Sequence, residues 1–530
     1  MKYLIIIFII LTQISKAEVS DLDSSFVEEG YLIEEYMDAE TGWQMAMQSD
    51  GKVVLSGARS KNIMYNSNKE IIFSRLNADG SYDYSFGDSG LVYIDIHIDQ
   101  FYFDMAINNN DEIIFAGSDF KGNGSFIRVG KLNNDGSVDS TFGDNGVFSL
   151  DLGELEKTRQ VRVQDDGKIV VGGFFYPDTT TLPTDIYLFR LNEDGSLDSS
   201  FGDNGITYAE YKPDWYNKLN DMQILSDGSV IVVGETSCNP CGADKNALLK
   251  LKPNGDIDNY FGSHGWVTWN MNKYYSVNKV VQKPDGKISV LGTHSLTSTY
   301  MKSIEVYQFN IDGAWDTGFG INGTSKIDTA GIGRGLVVQQ DGKLIVATQK
   351  QYGGDSVAAG HWSNIKTDLL LSRLNSDGSL DQSFNSTGQR LYKFDGWRSP
   401  FSSMDMLIQP EGELLLSGAL KYVTNFVGFV ARINTGSQSF SGVETMSRVE
   451  VKQLKVYPNP MTSTATIEIP NYSGQAYSLY VFDMIGNVVR MVDDITTDRY
   501  TFNKEDLTEG LYFLEISSNF ETFKSKIIVK

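Results

Sequence analysis

The stretch RLNADGSYDYSFGDSG, Arg75–Gly90, decides the fold, because close copies of it return at intervals of about 60 residues. We call this stretch the long phrase, and its further copies begin at Lys131, Arg190, Lys250, Gln308 and Arg373. A second stretch, the short phrase, lies between the copies and first reads QSDGKVVLSG at Gln48–Gly57. The chain is therefore a repeat array in which each repeat packs on its neighbours.

Each repeat predicts four short β-strands. Between Leu91 and Gly146 the runs LVYIDIH, FYFDMAI, EIIFAG and SFIRVGKLN are rich in Val, Ile, Phe and Tyr. The Asp-Gly of the short phrase favours a hairpin, since both residues can take positive φ. We take the strand after each long phrase as the innermost strand of the next unit. Seven copies of the short phrase then predict an all-β, seven-bladed β-propeller.

The two ends of the repeat region predict how the ring closes. DLDSSFVEEG, Asp21–Gly30, is only the second half of a long phrase, and ARINTGSQSF, Ala431–Phe440, is only its first half. One phrase divided between the two termini would join the first blade to the last. We therefore expect a propeller that is closed by its termini and has no open sheet edge.

The two phrases, L-N-x-D-G-S-x-D-x-x-F-G-x-x-G and Q-x-D-G-K, resemble the bacterial delta-60 repeat, a propeller-like family. The resemblance covers most of the chain, because both phrases recur in a fixed order. Departures are NNNDEIIFAG at Asn108–Gly117, which lacks Gly-Lys, and Asn385, which replaces a glycine. The resemblance implies an architecture and no catalytic residues.

Composition and the N-terminus indicate an exported protein. The 530 residues carry a formal net charge of −23, which argues against a nucleic-acid partner, whose phosphates would be repelled. MKYLIIIFIILTQISKA at residues 1–17 has the pattern of a signal peptide cleaved after Ala17. No other segment is apolar enough to be expected as a transmembrane anchor. The propeller is expected over residues 18–440, and the protein is expected to be a monomer.

After Ser441 the repeat period stops. A linker at 441–449 leads to residues 450–530, which predict a small antiparallel β-sandwich with a Gly486-Asn487 hairpin. The order VYPNP, LYVFDMIGNVV, GLYFLEI and KIIVK resembles the C-terminal sorting domain of the type IX secretion system of Bacteroidetes. This resemblance implies the secretion machinery as partner and a location in the medium or on the cell surface. An ordinary immunoglobulin-like accessory domain is the alternative.

Two cysteines, Cys238 and Cys241, stand together in SCNPCG. In an exported protein they predict a small disulfide within a loop. Free thiols, a redox centre and half of a zinc site are the alternatives, although no second Cys or His pair accompanies them.

Acidic residues recur five positions after the glycine that closes each long phrase. They are Glu35, Asp95, Asp151, Glu210 and Asp328, whereas Asn270 and Lys393 stand at the equivalent places elsewhere. On innermost strands these carboxylates would ring the axial channel and could bind Ca²⁺ as a cofactor. The alternative is that each carboxylate caps backbone N–H groups at a blade junction.

Unusual aromatic residues lie in the loops that vary between repeats. The candidate binding residues are Trp215, Tyr216, Tyr274, Tyr275, Trp362 and Trp397. Exposed rings stack on sugars or anchor protein partners, and loops on a rigid scaffold commonly carry function. These loops therefore predict a face that binds glycan or protein, although packing of each ring in the fold is the alternative.

No catalytic motif stands out in the sequence, and its four histidines occupy non-equivalent places. The sequence therefore predicts a non-catalytic, exported propeller that presents a binding face, and not an enzyme. The alternative is a polysaccharide hydrolase or lyase, metal-dependent or not, that uses carboxylates in the channel as acid and base.

Overall fold

A computed structural model of the protein describes residues 22–27, 30–34, 44–60, 69–94, 103–121, 124–153, 155–176, 185–212, 215–238, 243–270, 275–295, 302–352, 366–392, 404–422, 425–435, 454–469, 477–482, 488–505, 507–517 and 522–530. The chain separates into two compact units, Met1–Phe440 and Ser441–Lys530. The described residues form strands, turns and bends, as the all-β prediction requires. No helix among them could cross a membrane.

The strands of the first unit are short and regularly spaced. In its first half they are β1 (Tyr31–Glu34), β2 (Gln44–Met47), β3 (Val53–Ser60), β4 (Lys69–Leu76), β5 (Leu91–Ile94), β6 (Phe103–Ile107), β7 (Ile113–Lys121), β8 (Gly124–Leu132), β9 (Val147–Leu150), β10 (Leu155–Val163), β11 (Ile169–Tyr176), β12 (Ile186–Leu191) and β13 (Ile206–Ala209). In its second half they are β14 (Tyr216–Ile224), β15 (Val230–Cys238), β16 (Ala243–Leu251), β17 (Trp266–Asn270), β18 (Tyr275–Gln282), β19 (Ile288–Ser295), β20 (Lys302–Phe309), β21 (Thr324–Ile327), β22 (Gly331–Val338), β23 (Leu344–Tyr352), β24 (Lys366–Leu374), β25 (Gln389–Tyr392), β26 (Met404–Ile408), β27 (Leu414–Tyr422) and β28 (Asn425–Ile433).

These strands form seven four-stranded antiparallel sheets among the described residues. Sheets 1 to 6 each take four consecutive strands, beginning with β2–β5, and sheet 7 has the order β26-β27-β28-β1. The first strand of each sheet, which we call its inner strand, contacts the inner strand of the next sheet. The short phrase forms the turn between the first two strands of a sheet, as its Asp-Gly predicts.

The strand after each long phrase lies elsewhere than the sequence predicted. β5 pairs with β4 of the same sheet, with Phe73 opposite Val92, and β13 pairs likewise with β12. The long phrase therefore joins the third and fourth strands of one sheet instead of linking two units. The strand that we expected to be innermost is the outer strand of the preceding sheet.

Sheet 7 is built from both ends of the first unit. β1 pairs with β28, with Tyr31 opposite Ala431, and Leu22 forms a further bridge to Ile433. The two halves of the divided long phrase meet here, because the Asp23 N–H donates to the Arg432 carbonyl at 2.9 Å.

The hydrophobic core of this unit lies between neighbouring sheets. Seven buried clusters occur among its described residues, and each draws side chains from two adjacent sheets. One of them joins sheets 7 and 1, where Phe26 packs with Leu415 and Val430. Neighbouring sheets therefore bury each other's faces, as expected for repeats that have no core of their own.

The long phrase holds a buried cation on a phenylalanine ring. The Arg190 guanidinium lies 4.8 Å from the ring centroid of Phe201, and its Nε lies 2.8 Å from Asp198 Oδ2. Its Nη1 donates to the Pro253 carbonyl of the next repeat at 2.6 Å. Equivalent contacts surround Arg75, Arg373 and Arg432.

A glycine of the long phrase makes a second link to the next repeat. The Gly202 N–H donates to the Asn254 carbonyl at 2.8 Å, and Gly202 has a φ of 54°. A Cβ there would lie 2.3 Å from the Thr207 hydroxyl, so this position requires glycine.

The second unit contains β29 (Lys455–Tyr457), β30 (Thr464–Glu468), β31 (Tyr477–Phe482), β32 (Val488–Ile495), β33 (Arg499–Asn503), β34 (Gly510–Ser517) and β35 (Thr522–Val529). A three-stranded sheet, β29-β30-β33, and a four-stranded sheet, β32-β31-β34-β35, supply one buried cluster that includes Leu479, Phe502 and Ile527. This arrangement agrees with the predicted antiparallel sandwich. The predicted hairpin at Gly486-Asn487 lies outside the described residues.

Phe26 provides a test of how the N-terminal segment supports sheet 7. Its side chain is fully buried beneath Arg432, so Phe26→Ala is expected to lower the free energy of unfolding by about 3–5 kcal/mol. Chemical denaturation of the full chain measures this loss. Tyr84 is 70% exposed, and Tyr84→Ala is the control, with an expected change within about 0.5 kcal/mol. Equal stability of the two variants would contradict the role of this segment.

The aspartates of the long phrase predict how stability depends on pH. Burial alone would raise the pKa of Asp83, but hydrogen bonds from Ser85 and Lys52 and the charge of Arg75 lower it to about 2. Asp381 behaves likewise, with a pKa of about 2. A lowered pKa stabilises the fold above the unfolded value of about 3.9, and this contribution disappears as the pH falls toward 2.

Asp83→Asn is therefore expected to lower the melting temperature at neutral pH. The difference from the parent chain should shrink between about pH 4 and pH 2, where the parent carboxylate becomes protonated. Thermal unfolding over this range measures the effect. A difference that stays constant down to pH 2 would show that the charge of Asp83 does not stabilise the cluster.

Candidate functional site at the outer strand of sheet 4

The described members of the predicted carboxylate ring do not lie on the inner strands. Asp151, Glu210 and Asp328 are exposed, and each follows an outer strand, β9, β13 or β21. Glu35 and Asp95 lie outside the described residues. Within the described part of the chain, no three His, Cys, Asp or Glu side chains group so that they could hold a metal ion. The prediction that these described carboxylates surround the axial channel was wrong, because the strand after the long phrase is an outer strand.

Other carboxylates occupy the inner strands. Asp104 accepts the Val161 N–H of the next sheet at 2.9 Å, and Asp221 accepts the Val280 N–H at 2.9 Å. At the junction of sheets 7 and 1, Asp405 Oδ2 accepts the Met45 N–H at 3.0 Å. These carboxylates tie three of the inner strands to the next one, which is the capping role that we considered for the predicted ring. Their sequence signal is an Asp four residues before the start of the short phrase, as in Asp405 and Gln409.

Two cations complete the inner-strand network. Arg162 Nη1 lies 2.7 Å from Asp104, and its Nη2 lies 3.2 Å from Asp221. Burial alone would lower the pKa of Arg162, but these two carboxylates raise it. Burial alone would also lower the pKa of Lys279, but the charges of Asp221 and Asp405 raise it. Burial raises the pKa of Asp104 although Arg162 opposes this. The inner-strand charges thus stabilise one another.

Three of the six predicted binding residues lie in the described part of the chain. Trp215 is half-buried, and its ring meets that of Tyr211 edge-on at 5.3 Å. Tyr216 begins β14 and Tyr275 begins β18, whereas Tyr274, Trp362 and Trp397 lie outside the described residues.

The cysteines lie at the end of β15. Cys238 is buried and disulfide-bonded. Cys241, its predicted partner, lies outside the described residues, so the pairing itself stays a prediction.

A cleft of about 560 Å³ lies along β17, the outer strand of sheet 4. We call it the tyrosine–lysine pocket, and its lining includes Glu210, Tyr211, Lys212, His264, Trp266 and Thr268. The first three directly follow β13 of sheet 3. His264 belongs to the turn of the long phrase before β17, and Trp266 and Thr268 lie on that strand. Two neighbouring repeats therefore build the pocket together.

Aromatic rings and lysines surround Tyr211. Its ring meets the buried Trp266 at 5.6 Å in an edge-on arrangement, and its hydroxyl lies 3.3 Å from Thr268 Oγ1. The Lys212 Nζ lies 5.2 Å from the Tyr211 ring centroid, and the Lys245 Nζ of β16 lies 5.8 Å from it. Both amines also lie within about 6 Å of the Trp215 ring, at 5.6 and 6.0 Å.

These neighbours change the acidity of Tyr211. Burial alone would raise its pKa, but the Thr268 hydroxyl and the charges of Lys245 and Lys212 lower it below the ordinary value. A phenol of lowered pKa beside two ammonium groups can bind an anion and can accept a proton. Glu210 and His264 add a carboxylate and an imidazole to the lining.

Two family models match the chain. The Domain of unknown function (DUF5122) beta-propeller matches residues 48–86, 109–142, 164–201, 225–261 and 339–384. The Secretion system C-terminal sorting domain matches residues 455–530. The protein thus carries DUF5122 beta-propeller repeats followed by a secretion sorting domain, which confirms the two resemblances. The sorting domain indicates export by type IX secretion to the cell surface or the medium. No curated protein sequence matches the chain.

Solved structures with a similar fold have low sequence identity. Polysaccharide lyase Uly1 is 12% identical, with a TM-score of 0.47 and coverage of 75% of this chain and 91% of that one. The α-L-arabinofuranosidase Arb93A from Fusarium graminearum is 10% identical, with a TM-score of 0.35 and coverage of 63% and 92%. The β-propeller domain of the trilobed protease from Pyrococcus furiosus is 10% identical, with a TM-score of 0.39 and coverage of 76% and 99%.

These structures correct one prediction from the sequence. We expected a protein that is not an enzyme, because no catalytic motif appears in the chain. Two of these structures are enzymes by name, a polysaccharide lyase and an arabinofuranosidase, and the third is a domain of a protease. A fold alone does not decide function, so the lack of a familiar motif in this chain does not exclude catalysis.

Proposed function

We propose that this protein is an exported β-propeller that binds an acidic polysaccharide in the tyrosine–lysine pocket and cleaves it there. The observation that carries the proposal is the convergence of Tyr211, Lys212 and Lys245 beside Trp266. Rings contact the faces of sugars, and ammonium groups pair with carboxylates or sulfates, so the combination suits a charged saccharide.

Because the whole chain is acidic, an acidic ligand must be attracted by a local group of positive charges. With a net charge of −23, the protein repels polyanions at long range, so attraction to one must come from a local site. Lys212 is exposed and lines the pocket, whereas Lys245 is half-buried beside the rings of Tyr211 and Trp215. A volume of about 560 Å³ also lies within the usual range of ligand pockets, roughly 300–1,000 Å³.

Cleavage is favoured by the titratable groups of the pocket. Because the pKa of Tyr211 is lowered, a larger fraction of its side chain is phenolate at a given pH than in an ordinary tyrosine, and the phenolate can accept a proton. His264 lies in the same lining. The inner strands lack this character, because Asp104 and Asp221 there are occupied by backbone amides and by Arg162. We therefore place the chemistry in the pocket and not, as the sequence suggested, in the axial channel.

The repeats are proposed to form a closed, seven-bladed ring that presents this pocket. Support comes from the seven sheets, from the pairing of β1 with β28, and from the buried cluster shared by sheets 7 and 1. The proposed division of the chain is a signal peptide at 1–17, the propeller at 18–440, a linker at 441–449 and the sorting domain at 450–530.

The two lysines provide the test of binding. Replacing both Lys212 and Lys245 with Ala is expected to raise the Kd for polygalacturonate at least about tenfold, a loss of about 1.4 kcal/mol. Binding by the parent chain should also weaken as salt is added. Isothermal titration with polygalacturonate and with a neutral galactan measures both effects. Lys326 is exposed on β21, and Lys326→Ala is the matched control. Equal affinity of the double variant and this control would exclude the pocket as the binding site.

The sorting domain provides a test of export. Removal of residues 451–530 is expected to leave the first unit folded but retained inside the cell, because the two units are separately compact. Circular dichroism of the purified first unit and surface labelling of producing cells check the two parts. Fusion of residues 451–530 to an unrelated domain with its own signal peptide is the control, and it should be exported. Surface labelling of the truncated chain at parental levels would contradict the prediction.

A further inference from the structure

We propose that the tyrosine–lysine pocket cleaves a uronate-containing polysaccharide by β-elimination, with the Tyr211 oxygen accepting the proton from C5 of the uronate. This inference rests on the proposed function and deepens it, since it names the substrate class and the reaction. The inference is based on the position of the Tyr211 hydroxyl and on the two ammonium groups, Lys212 and Lys245, beside it.

The fold holds Tyr211 in a defined orientation. Trp215 and Trp266 meet its ring edge-on at interplanar angles of 74° and 66°, and Thr268 contacts its hydroxyl. A half-buried ring held on two sides places its oxygen reproducibly along the pocket wall. Such fixed placement is what a general base requires, because the proton must lie within hydrogen-bond reach.

The two lysines supply the charge that elimination needs. Removing the C5 proton leaves negative charge on C5, shared with the neighbouring carboxylate. Ammonium groups that pair with this carboxylate stabilise the developing charge more strongly than they stabilise the bound substrate. Lys212 and Lys245 also favour the phenolate form of Tyr211, as the direction of its pKa shows. The same cations thus prepare the base and stabilise what it produces.

The reaction balances without an added reagent. The C5–H bond breaks and its proton passes to the Tyr211 oxygen. The electron pair left on C5 forms a C4=C5 double bond while the C4–O glycosidic bond breaks. The departing oxygen then takes a proton from the Tyr211 hydroxyl, which restores the phenolate. No water is added, and the products are a new reducing end and an unsaturated uronate.

The described lining favours elimination over hydrolysis. Glycoside hydrolysis usually requires two carboxyl groups on either side of the bond. Among the described residues that line the pocket, Glu210 is the one carboxylate, and it is exposed. Elimination instead uses a base, a proton donor and cations beside the carboxylate, and the pocket supplies all three.

The test incubates the full chain with polygalacturonate, polymannuronate and a neutral galactan. The ultraviolet absorbance of the C4=C5 product and the release of reducing ends are followed together. We expect unsaturated product from at least one polyuronate and none from the galactan. The rate should rise with pH as Tyr211 loses its proton, below the ordinary tyrosine range of about 10.

Variants at two tyrosines separate catalysis from folding. Tyr211→Phe is expected to reduce the elimination rate by about 10²–10⁴-fold while changing the Kd for polyuronate less than about threefold. Tyr260 is 89% exposed, next to the buried Phe261, and Tyr260→Phe is the matched control with the parental rate. A Tyr211→Phe variant that eliminates as fast as this control would overturn the role of Tyr211.

The remaining outcomes distinguish the two proposals. Reducing ends without unsaturated product would overturn elimination and leave the proposed polysaccharide-cleaving function in place. Binding of a polyuronate without any cleavage would overturn elimination and reduce the proposed function to binding. No binding of either polyuronate by the parent chain would overturn both.

Discussion

The first unit depends on one repeated interaction, a cation that lies on the buried phenylalanine of the long phrase and pairs with its aspartate. Arg190 stacks on Phe201, pairs with Asp198 and donates to the Pro253 carbonyl of the next repeat. A buried charge is costly unless its hydrogen bonds are satisfied, so this arginine is stable only beside a folded neighbour. The interaction therefore makes the repeats of Arg75, Arg190, Arg373 and Arg432 depend on the next one, which a hydrophobic face alone would do less selectively.

The one described long phrase that begins with a neutral side chain shows what this interaction requires. Gln308 stands where other copies carry Arg or Lys, and its Nε2 donates to Asp316 at 2.6 Å. The remaining positive charge comes from the short phrase, where Lys287 lies 2.8 Å from the same carboxylate, as Lys168 lies 3.1 Å from Asp198 in an arginine-containing repeat. The aspartate thus keeps one of its two cationic partners when the arginine is replaced. The lysine of the short phrase is the cation that these repeats share.

The sequence predicted the strands and turns well, because alternating apolar residues and Asp-Gly turns act locally. It did not predict which sheet receives the strand after each long phrase. Leu91–Ile94 could pair with the strand before it or lead the strands after it, and both choices keep the same local pattern. Only the contact of Phe73 with Val92 decides between them. That choice places Glu210 at the end of an outer strand instead of on an inner strand, and Asp151 and Asp328 likewise.

The sequence did not predict the pocket, because the pocket is built from residues that differ between repeats. A repeat array shows its architecture in what recurs, whereas a single binding site must come from what differs between repeats. The pair Tyr211-Lys212 follows the carboxylate position only in this repeat, since another repeat has Tyr36-Met37 there. Lys245 lies on the third strand of the next sheet. Trp215 was identified as a variable aromatic, yet its importance lies in holding Tyr211. The recurring charges on the inner strands are used to join the sheets, so the residues that break the repeat are the ones left available for chemistry.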